Sequence, residues 1–206
     1  MKAMIGMSGG VDSSVAAYLT MQMGYECIGA TMGLYTGQDR HCPCPAPDTT
    51  DAQAVAQRLG IPFHYFDLSG EFEERVMEPF VRCYESGLTP NPCIECNRHL
   101  KFDAFFRQAR ALGCDRIVTG HYARIGYDES SGRYLLRKAA DEAKDQSYFL
   151  YRLTQQQLAH TLFPLGGLTK AEARVIAEQQ GFINARKHDS QDICFIPDGD
   201  YPAFLR

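Results

Sequence analysis

Gly6-Met7-Ser8-Gly9-Gly10-Val11-Asp12-Ser13-Ser14 is the stretch on which the reading of this chain turns. An apolar run over residues 2–7, with Ala3, Met4 and Ile5, leads into it, and Val15, Ala16, Leu19 and Met23 leave it at helical spacing. A strand that meets paired glycines and then a helix start makes an anion cradle. The glycines let backbone N–H groups turn inward, and the positive end of the helix dipole faces the same spot. Phosphate is the expected guest. A Walker-type loop needs a Lys followed by Ser or Thr after its last glycine. Here Asp12 and Ser13 stand in that place, so gripping and cleaving a terminal phosphate is a poor fit.

The rest of the chain supports an α/β domain around that loop. At 206 residues with 45% hydrophobic content there is ample material for a core. No run approaches the roughly 20 apolar residues of a membrane span, and the first residues carry no signal-peptide pattern; the cytoplasm is the expected location, with no membrane partner. Eight cysteines in 206 residues fall below the ~8–10% of a disulfide scaffold, so they read as core residues, catalytic thiols or metal ligands. The net charge of −4 argues against a nucleic-acid binder taken alone. Its distribution is uneven: residues 1–95 carry 5 Lys/Arg against 12 Asp/Glu, and residues 96–206 carry 16 against 13. A phosphate backbone would therefore prefer the second half.

Along the chain, β-rich runs at 25–31, 63–68 and 115–119 alternate with helical spacing at 50–59, 71–84 and 98–112. Pro79 is expected to kink or divide the second of these helices. Residues 36–49 and 85–97 read as loops, and 122–125 with 134–137 as a hairpin. This alternation predicts a doubly wound, mainly parallel sheet with ligands at the carboxyl ends of its strands. Those ends fall at the Gly6–Ser14 loop, at Met32 and at Gly120, and nucleotide contacts are expected at all three. From Lys144 the pattern changes to short helices, including 169–180 with a Thr169-x-x-Glu172 capping box and Gly181 behind it. The predicted organisation is a catalytic domain over 1–143 and a helical extension over 144–206.

Two thiols stand out. Cys96 follows Pro-Asn-Pro-Cys-Ile-Glu and sits just before the predicted helix with Arg98 in its first turn. A cysteine at a helix N-terminus beside an arginine has a lowered pKa. Cys194 lies 98 residues later in the irregular stretch Asp-Ser-Gln-Asp-Ile-Cys-Phe-Ile. Each alone reads as readily as a packed cysteine. Cys42-Pro43-Cys44 reads as a surface loop with incidental thiols. His64, His99 and His160 have no partners at metal or triad spacing, His121 adjoins a nucleotide-facing glycine, and Phe102, Phe105 and Phe106 read as core.

Ser-Gly-Gly-x-Asp-Ser-Ser resembles the signature of the PP-loop ATP pyrophosphatases, which bind pyrophosphate and transfer AMP to a substrate oxygen. Further strings sharpen this: Thr89-Pro90-Asn91-Pro92 with Cys96-Asn97, Lys101-Phe102, Thr119-Gly120-His121-Tyr122, Lys144-Asp145-Gln146-Ser147-Tyr148-Phe149-Leu150 and Asp189-Ser190-Gln191-Asp192-Ile193-Cys194-Phe195. Together, and in this order over nearly the whole chain, they resemble the tRNA-specific 2-thiouridylases, the PP-loop enzymes that place sulfur on the wobble uridine.

That resemblance implies roles. Gly6, Met7, Ser8, Gly9, Gly10, Val11, Asp12 and Ser13 would bind the ATP phosphates, with Met32 and Gly120 around the adenosine. Asn91, Pro92 and Cys93 would face the target base, and Lys144, Asp145 and Gln146 would touch the anticodon region of tRNA. Cys194 would carry a persulfide delivered by a cysteine desulfurase or a sulfur-relay protein, and Cys96 would be the nucleophile that resolves it. Magnesium bridging the phosphates is expected, with Asp12 placing it or else serving as a helix cap. Other readings are another AMP-forming PP-loop enzyme, and a nucleotide-binding remnant without catalysis.

The sequence departs from the resemblance twice. Cys93 stands where many relatives have an aspartate, which creates Cys93-x-x-Cys96 and, with Cys194, three thiols that would suit an iron–sulfur cluster; that makes an iron–sulfur-dependent thiolase a further reading. The family also continues with a small central domain and a C-terminal β-barrel, which are expected to be absent here.

Overall fold

The structure, a computed structural model, describes residues 1–35, 48–187, 193–196 and 199–205. Cys42, Cys44 and residues 189–192 of the last motif lie outside the described residues. The chain opens with β1 (Lys2–Gly6), whose burial explains the two-sided fold. Successive strand residues point to opposite faces. Ala3 and Ile5 enter one core and Met4 the other, and all three are fully buried. Such a strand is near-continuously apolar because both faces are covered, and each large side chain contributes about 1.5–3 kcal/mol by leaving water.

From β1 the chain turns into α1 (Val11–Gln22) and continues through β2 (Glu26–Gly33), α2 (Thr50–Leu59) and β3 (Phe63–Asp67). Helix α1 is less one-sided than its spacing predicts. Ser13, Ser14, Ala16, Ala17 and Thr20 are all buried, while Met23, expected on the core side, follows the helix and is exposed. Small side chains let α1 sit tightly between the sheet and a later helix.

The next helical stretch is α3 (Ser69–Phe72), a π turn over Glu73–Met77 and α4 (Glu78–Glu85). Pro79 lies just after the π turn, where the wider backbone spacing accommodates a residue that has no N–H. A larger departure follows. The predicted loop over 85–97 ends early: α5 (Pro92–Glu95) runs into a π-helical segment, Cys96–Ala104, and on into α6 (Phe105–Ala111). Asn91 caps this helix by accepting from Cys93 N at 3.2 Å, and Pro92 occupies its first turn. Pro92 is thus the start signal and not a loop stiffener.

The remaining elements are β4 (Arg116–Val118), the hairpin β5 (Arg124–Asp128) and β6 (Arg133–Arg137), α7 (Gln155–Ala159), β7 (Thr161–Leu162), α8 (Lys170–Gln179) and α9 (Tyr201–Phe204). One-turn 3-10 helices occupy Glu142–Lys144, Ser147–Leu150 and Pro164–Gly167. The main sheet has the order β3-β2-β1-β4-β7 and every pairing in it is parallel. Strand β7 is two residues long, too short for periodicity to reveal. The chain reverses its winding between β1 and β4, so the crevice at their carboxyl ends is the topological switch point.

Residues beyond 143 do not make a separate unit. Strand β7 completes the main sheet, and Leu165, Ala173, Ala177, Phe182 and Ala185 share a core with α1 and α2. The segment carrying Phe195, Ile196 and Phe204 instead joins a second core with Phe72, Phe80, Cys96 and Leu100. Phe80 is the hub, with ring centroids 5.3 Å from Phe195, 5.8 Å from Phe204 and 5.0 Å from Tyr84.

Candidate functional site

The Gly6–Ser14 loop lies at the switch point as an open cradle. Gly9 has φ +74°, a left-handed conformation that glycine adopts without strain. Gly10 is the N-cap of α1 and is extended, with no side chain capping the helix. Neither Ser nor Asp acts as the cap there, so the N–H groups of the first turn stay directed at the crevice. The loop is held from behind: Thr31 Oγ1 donates to Met7 O at 2.5 Å, Ser13 Oγ accepts from Ser8 N at 3.2 Å, and Ser14 Oγ donates to Gly10 O at 2.9 Å. Asn184, 175 residues away, donates from Nδ2 to Gly9 O at 3.0 Å and to Ser14 Oγ at 2.9 Å.

Asp12 is neither a cap nor an unengaged carboxylate. Lys170 Nζ donates to its two oxygens at 2.7 and 2.8 Å, and Tyr122 Oη donates to Oδ1 at 2.8 Å. A lysine therefore does stand at this loop, brought by α8 from 158 residues away. Sequence reading missed it because Lys170 lies inside the Thr169–Glu172 capping box and looks like an ordinary surface position. Lys187, paired with Asp51 at 2.7 Å, lies on the Gly9 side of the same loop.

Gly120 meets the loop backbone. A Cβ there would lie 2.8 Å from Asp12 C and from Ser13 N. The absence of a side chain lets the end of β4 touch the start of α1. We expect Gly120→Ala to force these segments apart and cost about 1–3 kcal/mol, the usual scale of overpacking. A urea midpoint equal to that of the parent would contradict this. Met32 closes another side: its Cε and the Phe105 ring both lie within 3.7 Å of where a Gly6 Cβ would be. His121 reads as structural. It is buried, its Nδ1 is 2.7 Å from Thr119 Oγ1, and burial, reinforced by the Lys101 charge, holds its pKa well below the usual histidine value. Its ring is neutral.

Of the three candidate thiols, Cys96 lies in the second core and Cys194 directly precedes Phe195 of that core. Cys93 is exposed in the first turn of the α5 helix, and Cys96 is buried one turn further in. Cys96 is thus the fifth residue of that helix, past the N-terminal position expected for it. Burial raises its thiol pKa, against a lowering by Lys101. The expected stabilised thiolate is overturned for the resting site, because protein packing removes the solvation a thiolate needs. Cys194 is solvent-accessible but flanked by protein, and burial first and Cys96 second push its thiol up to about 12. Lys101 and Cys93 act on the Cys96 thiol, and Cys96, Lys101 and Cys93 act on the Cys194 thiol, so the fold brings Cys194 into the neighbourhood of two thiols that stand 98 and 101 residues earlier in the chain. Among the described residues, no group of three or more His, Cys, Asp or Glu side chains is arranged to hold a metal ion.

Asn97, in the π-helical segment, donates from Nδ2 to Phe149 O at 3.0 Å and ties the thiol helix to the Ser147–Leu150 turn. Beside it lie the expected tRNA contacts. Lys144 is exposed, Asp145 accepts from Ala139 N at 2.8 Å and from Ser147 Oγ at 2.6 Å, and Gln146 Oε1 accepts from Tyr122 N at 3.0 Å. Burial opposes ionisation of Asp145, but its hydrogen bonds outweigh that and hold the carboxyl below the usual range. Asp145 and Gln146 thus position this turn against the β4 end, while Lys144 is the one that projects. The exposed aromatic rings of Tyr148 and Tyr151, with centroids 6.2 Å apart, were not foreseen. His64 stacks on Phe66, His160 on Phe106, and His99 pairs with Glu95 at 3.3 Å.

Comparison with known proteins gives this arrangement a family. Residues 1–198 match the family described as the tRNA methyl transferase HUP domain. The chain is 50% identical over 210 residues to a tRNA-specific 2-thiouridylase of Clostridioides difficile, covering 100% of this chain and 58% of that protein. It is 49% identical over 215 residues to one of Symbiobacterium thermophilum, covering 100% and 55%. The chain therefore spans a little over half the length of these relatives. Among solved structures it is similar to a predicted subunit of tRNA methyltransferase from Methanocaldococcus jannaschii, with TM-score 0.54 and 17% identity over 86% of this chain and 74% of that one. It is also similar to an NMN synthetase from Francisella tularensis, with TM-score 0.51 and 18% identity over 99% and 67%. At such identities these two likenesses show the Rossmann-like α/β fold alone. The family match covers nearly the whole chain, and the chain belongs to the tRNA methyl transferase HUP domain family.

Proposed function

We propose that this member of the family is the nucleotide-binding and thiol-bearing part of a tRNA 2-thiouridylase. The observation that carries the reading is the pairing of an uncapped, glycine-built loop at the switch point with Cys96, buried in the second core, and exposed Cys194, which directly precedes Phe195 of that core and feels the Cys96 thiol electrostatically. The C2 oxygen of uracil is a very poor leaving group and must be activated before sulfur can replace it. In this reading, the loop from Gly6 to Ser13 holds the pyrophosphate portion of ATP back and leaves the α-phosphate open to attack by that oxygen. AMP becomes attached to O2 and pyrophosphate departs. Met32 and Gly120 border the adenosine side. Asn91, Pro92 and Cys93 face the base, which must leave its stack to reach them. Lys144, with Tyr148 and Tyr151 beside it, faces the RNA.

Cys194 then carries the sulfur as a persulfide. The terminal sulfur attacks C2 and AMP leaves. Cys96 attacks the Cys194 sulfur, the S–S bond breaks, and sulfur stays on the base as the thione. A Cys96–Cys194 disulfide remains, and an external thiol reduces it. Burial raises the pKa of Cys96, and Lys101 acts in the opposite direction, as a cation that would favour the thiolate when it attacks. Asp12 suits a magnesium ion by its chemistry, and such an ion would neutralise charge on the phosphates when bound. The three thiols do not form a metal-holding group, and no step here uses an iron–sulfur cluster. The sulfur donor in this reading is a cysteine desulfurase or a relay protein that reaches exposed Cys194, and the reaction takes place in the cytoplasm. Among the described residues no helix is long and apolar enough to cross a membrane.

The test is transfer of radiolabelled sulfur from a persulfide donor to unmodified tRNA in the presence of ATP, with a full-length relative as the positive control. Label in 2-thiouridine with one AMP released per sulfur supports the reading. AMP release without label, while the control is labelled, would point to a different AMP-forming reaction.

A further inference from the structure

The loop lacks the lysine that phosphate loops of the Walker type carry, yet a lysine reaches it across the fold. Lys170 is the first residue of α8, which is anchored at both ends of its first turn. Thr169 Oγ1 accepts from Glu172 N at 3.2 Å, and the Lys170 N–H donates to Asp141 Oδ2 at 3.0 Å. Ala173 and Ala177 bury α8 in the α1 core. The helix therefore presents its ammonium from a fixed platform, with only the four-carbon stem free to adjust. That side chain is 12% exposed, and its Nζ is bonded to Asp12 in the first turn of α1. An ammonium so enclosed needs a negative partner.

Asp12 has a second donor, Tyr122 Oη at 2.8 Å. Loss of Lys170 would not leave the Asp12 carboxylate without a hydrogen bond. Tyr122 thus keeps the carboxylate hydrogen-bonded if the lysine moves, and a phosphate oxygen would supply the negative partner that the ammonium requires. We propose that Lys170 is the phosphate-directed lysine of this loop, held on Asp12 and transferred to a phosphate oxygen when a triphosphate binds. This rests on the nucleotide reading above and adds to it the residue that distinguishes a triphosphate from a monophosphate. The terminal phosphates present more negative charge than one carboxylate, and an ammonium follows the stronger field. Asp12, freed on one side, then faces the divalent cation that accompanies the nucleotide.

The experiment compares the parent chain, Lys170→Met and Lys170→Arg by calorimetric titration with α,β-methylene-ATP and with AMP, alongside thermal unfolding without nucleotide. Lys170→Met should bind the triphosphate analogue about 10- to 100-fold more weakly, the scale of losing one charge-assisted hydrogen bond. Its AMP affinity should be unchanged, and Lys170→Arg should recover part of the preference. If Lys170→Met binds the analogue as the parent does, or loses analogue and AMP equally, the lysine is merely structural and the proposal is wrong. Should Lys170→Met unfold, the same comparison rests on Lys170→Arg, whose analogue-to-AMP ratio must fall below the parental ratio. A parent chain that binds neither nucleotide overturns the nucleotide reading together with this one.

Discussion

Cys194→Ser should lower sulfur transfer to tRNA by about 10³-fold or more, because the residue proposed to carry the sulfur is gone. Its nucleotide affinity should stay at the parental level. The loop belongs to the core of α1, α2 and α8, whereas Cys96 and the Phe195 that follows Cys194 belong to the core of Phe80. Cys96→Ser should be equally inactive but differ in kind. Sulfur can still attack the activated base, but nothing then breaks the S–S bond, so a covalent enzyme–RNA adduct accumulates. Denaturing gel electrophoresis should show a slow-moving RNA band for Cys96→Ser that added dithiol abolishes. Cys194→Ser should show none. Full activity in either variant, or identical adducts in both, would be incompatible with the assigned roles.

The second large effect concerns how Cys194 is held. Phe80 is 2% exposed and its ring meets Phe195, Phe204 and Tyr84. Phe80→Ala should cost about 3–5 kcal/mol, the usual price of emptying an aromatic site in a core. The loss should not be confined to stability. Phe195 follows Cys194 directly, so a vacated Phe80 site releases the thiol from Cys96 and Lys101. Alkylation of Cys194, followed by mass spectrometry, should quicken, and sulfur transfer should fall while the loop still binds nucleotide. Phe80→Leu keeps most of the volume and provides a folded comparison with smaller changes of the same sign. An unchanged alkylation rate in both variants would mean that Phe80 does not hold the segment.

Much of this architecture is legible in the chain itself. The apolar runs of β1, β2 and β4 can be read because both faces of a parallel sheet are buried, and Gly9 can be read because few other residues suit its left-handed backbone. The parallel direction of the strands follows from their alternation with helices. The helix that carries Cys96 is harder. Pro90 and Pro92 suggest a loop, yet Pro92 is a helix-starting proline behind an Asn91 cap. A helix start at Pro92, six residues ahead of the expected one, moved Cys96 from a helix entrance to a buried turn and reversed the direction of its pKa shift. Strand β7 is invisible for a different reason. Two residues show no period, and Thr161 and Leu162 are a strand only because β4 offers its edge to them.

The nonapeptide from Gly6 to Ser14 determines, by local chemistry alone, that a strand, a turn and a helix form an anion cradle. Backbone freedom at glycine and the dipole of the following helix are properties of neighbours in the chain. What meets at that cradle is a tertiary matter. Lys170 reaches Asp12 over 158 residues, Asn184 reaches Gly9 over 175, and Gly120 has to be small because the backbone of Asp12 and Ser13 lies against it. The thiols follow the same rule: each cysteine is unremarkable where it stands in the sequence, and packing of Phe195 against Phe80 brings Cys194 to Cys96. Charge pairing and burial act through space, so only the folded chain decides which distant groups share a site.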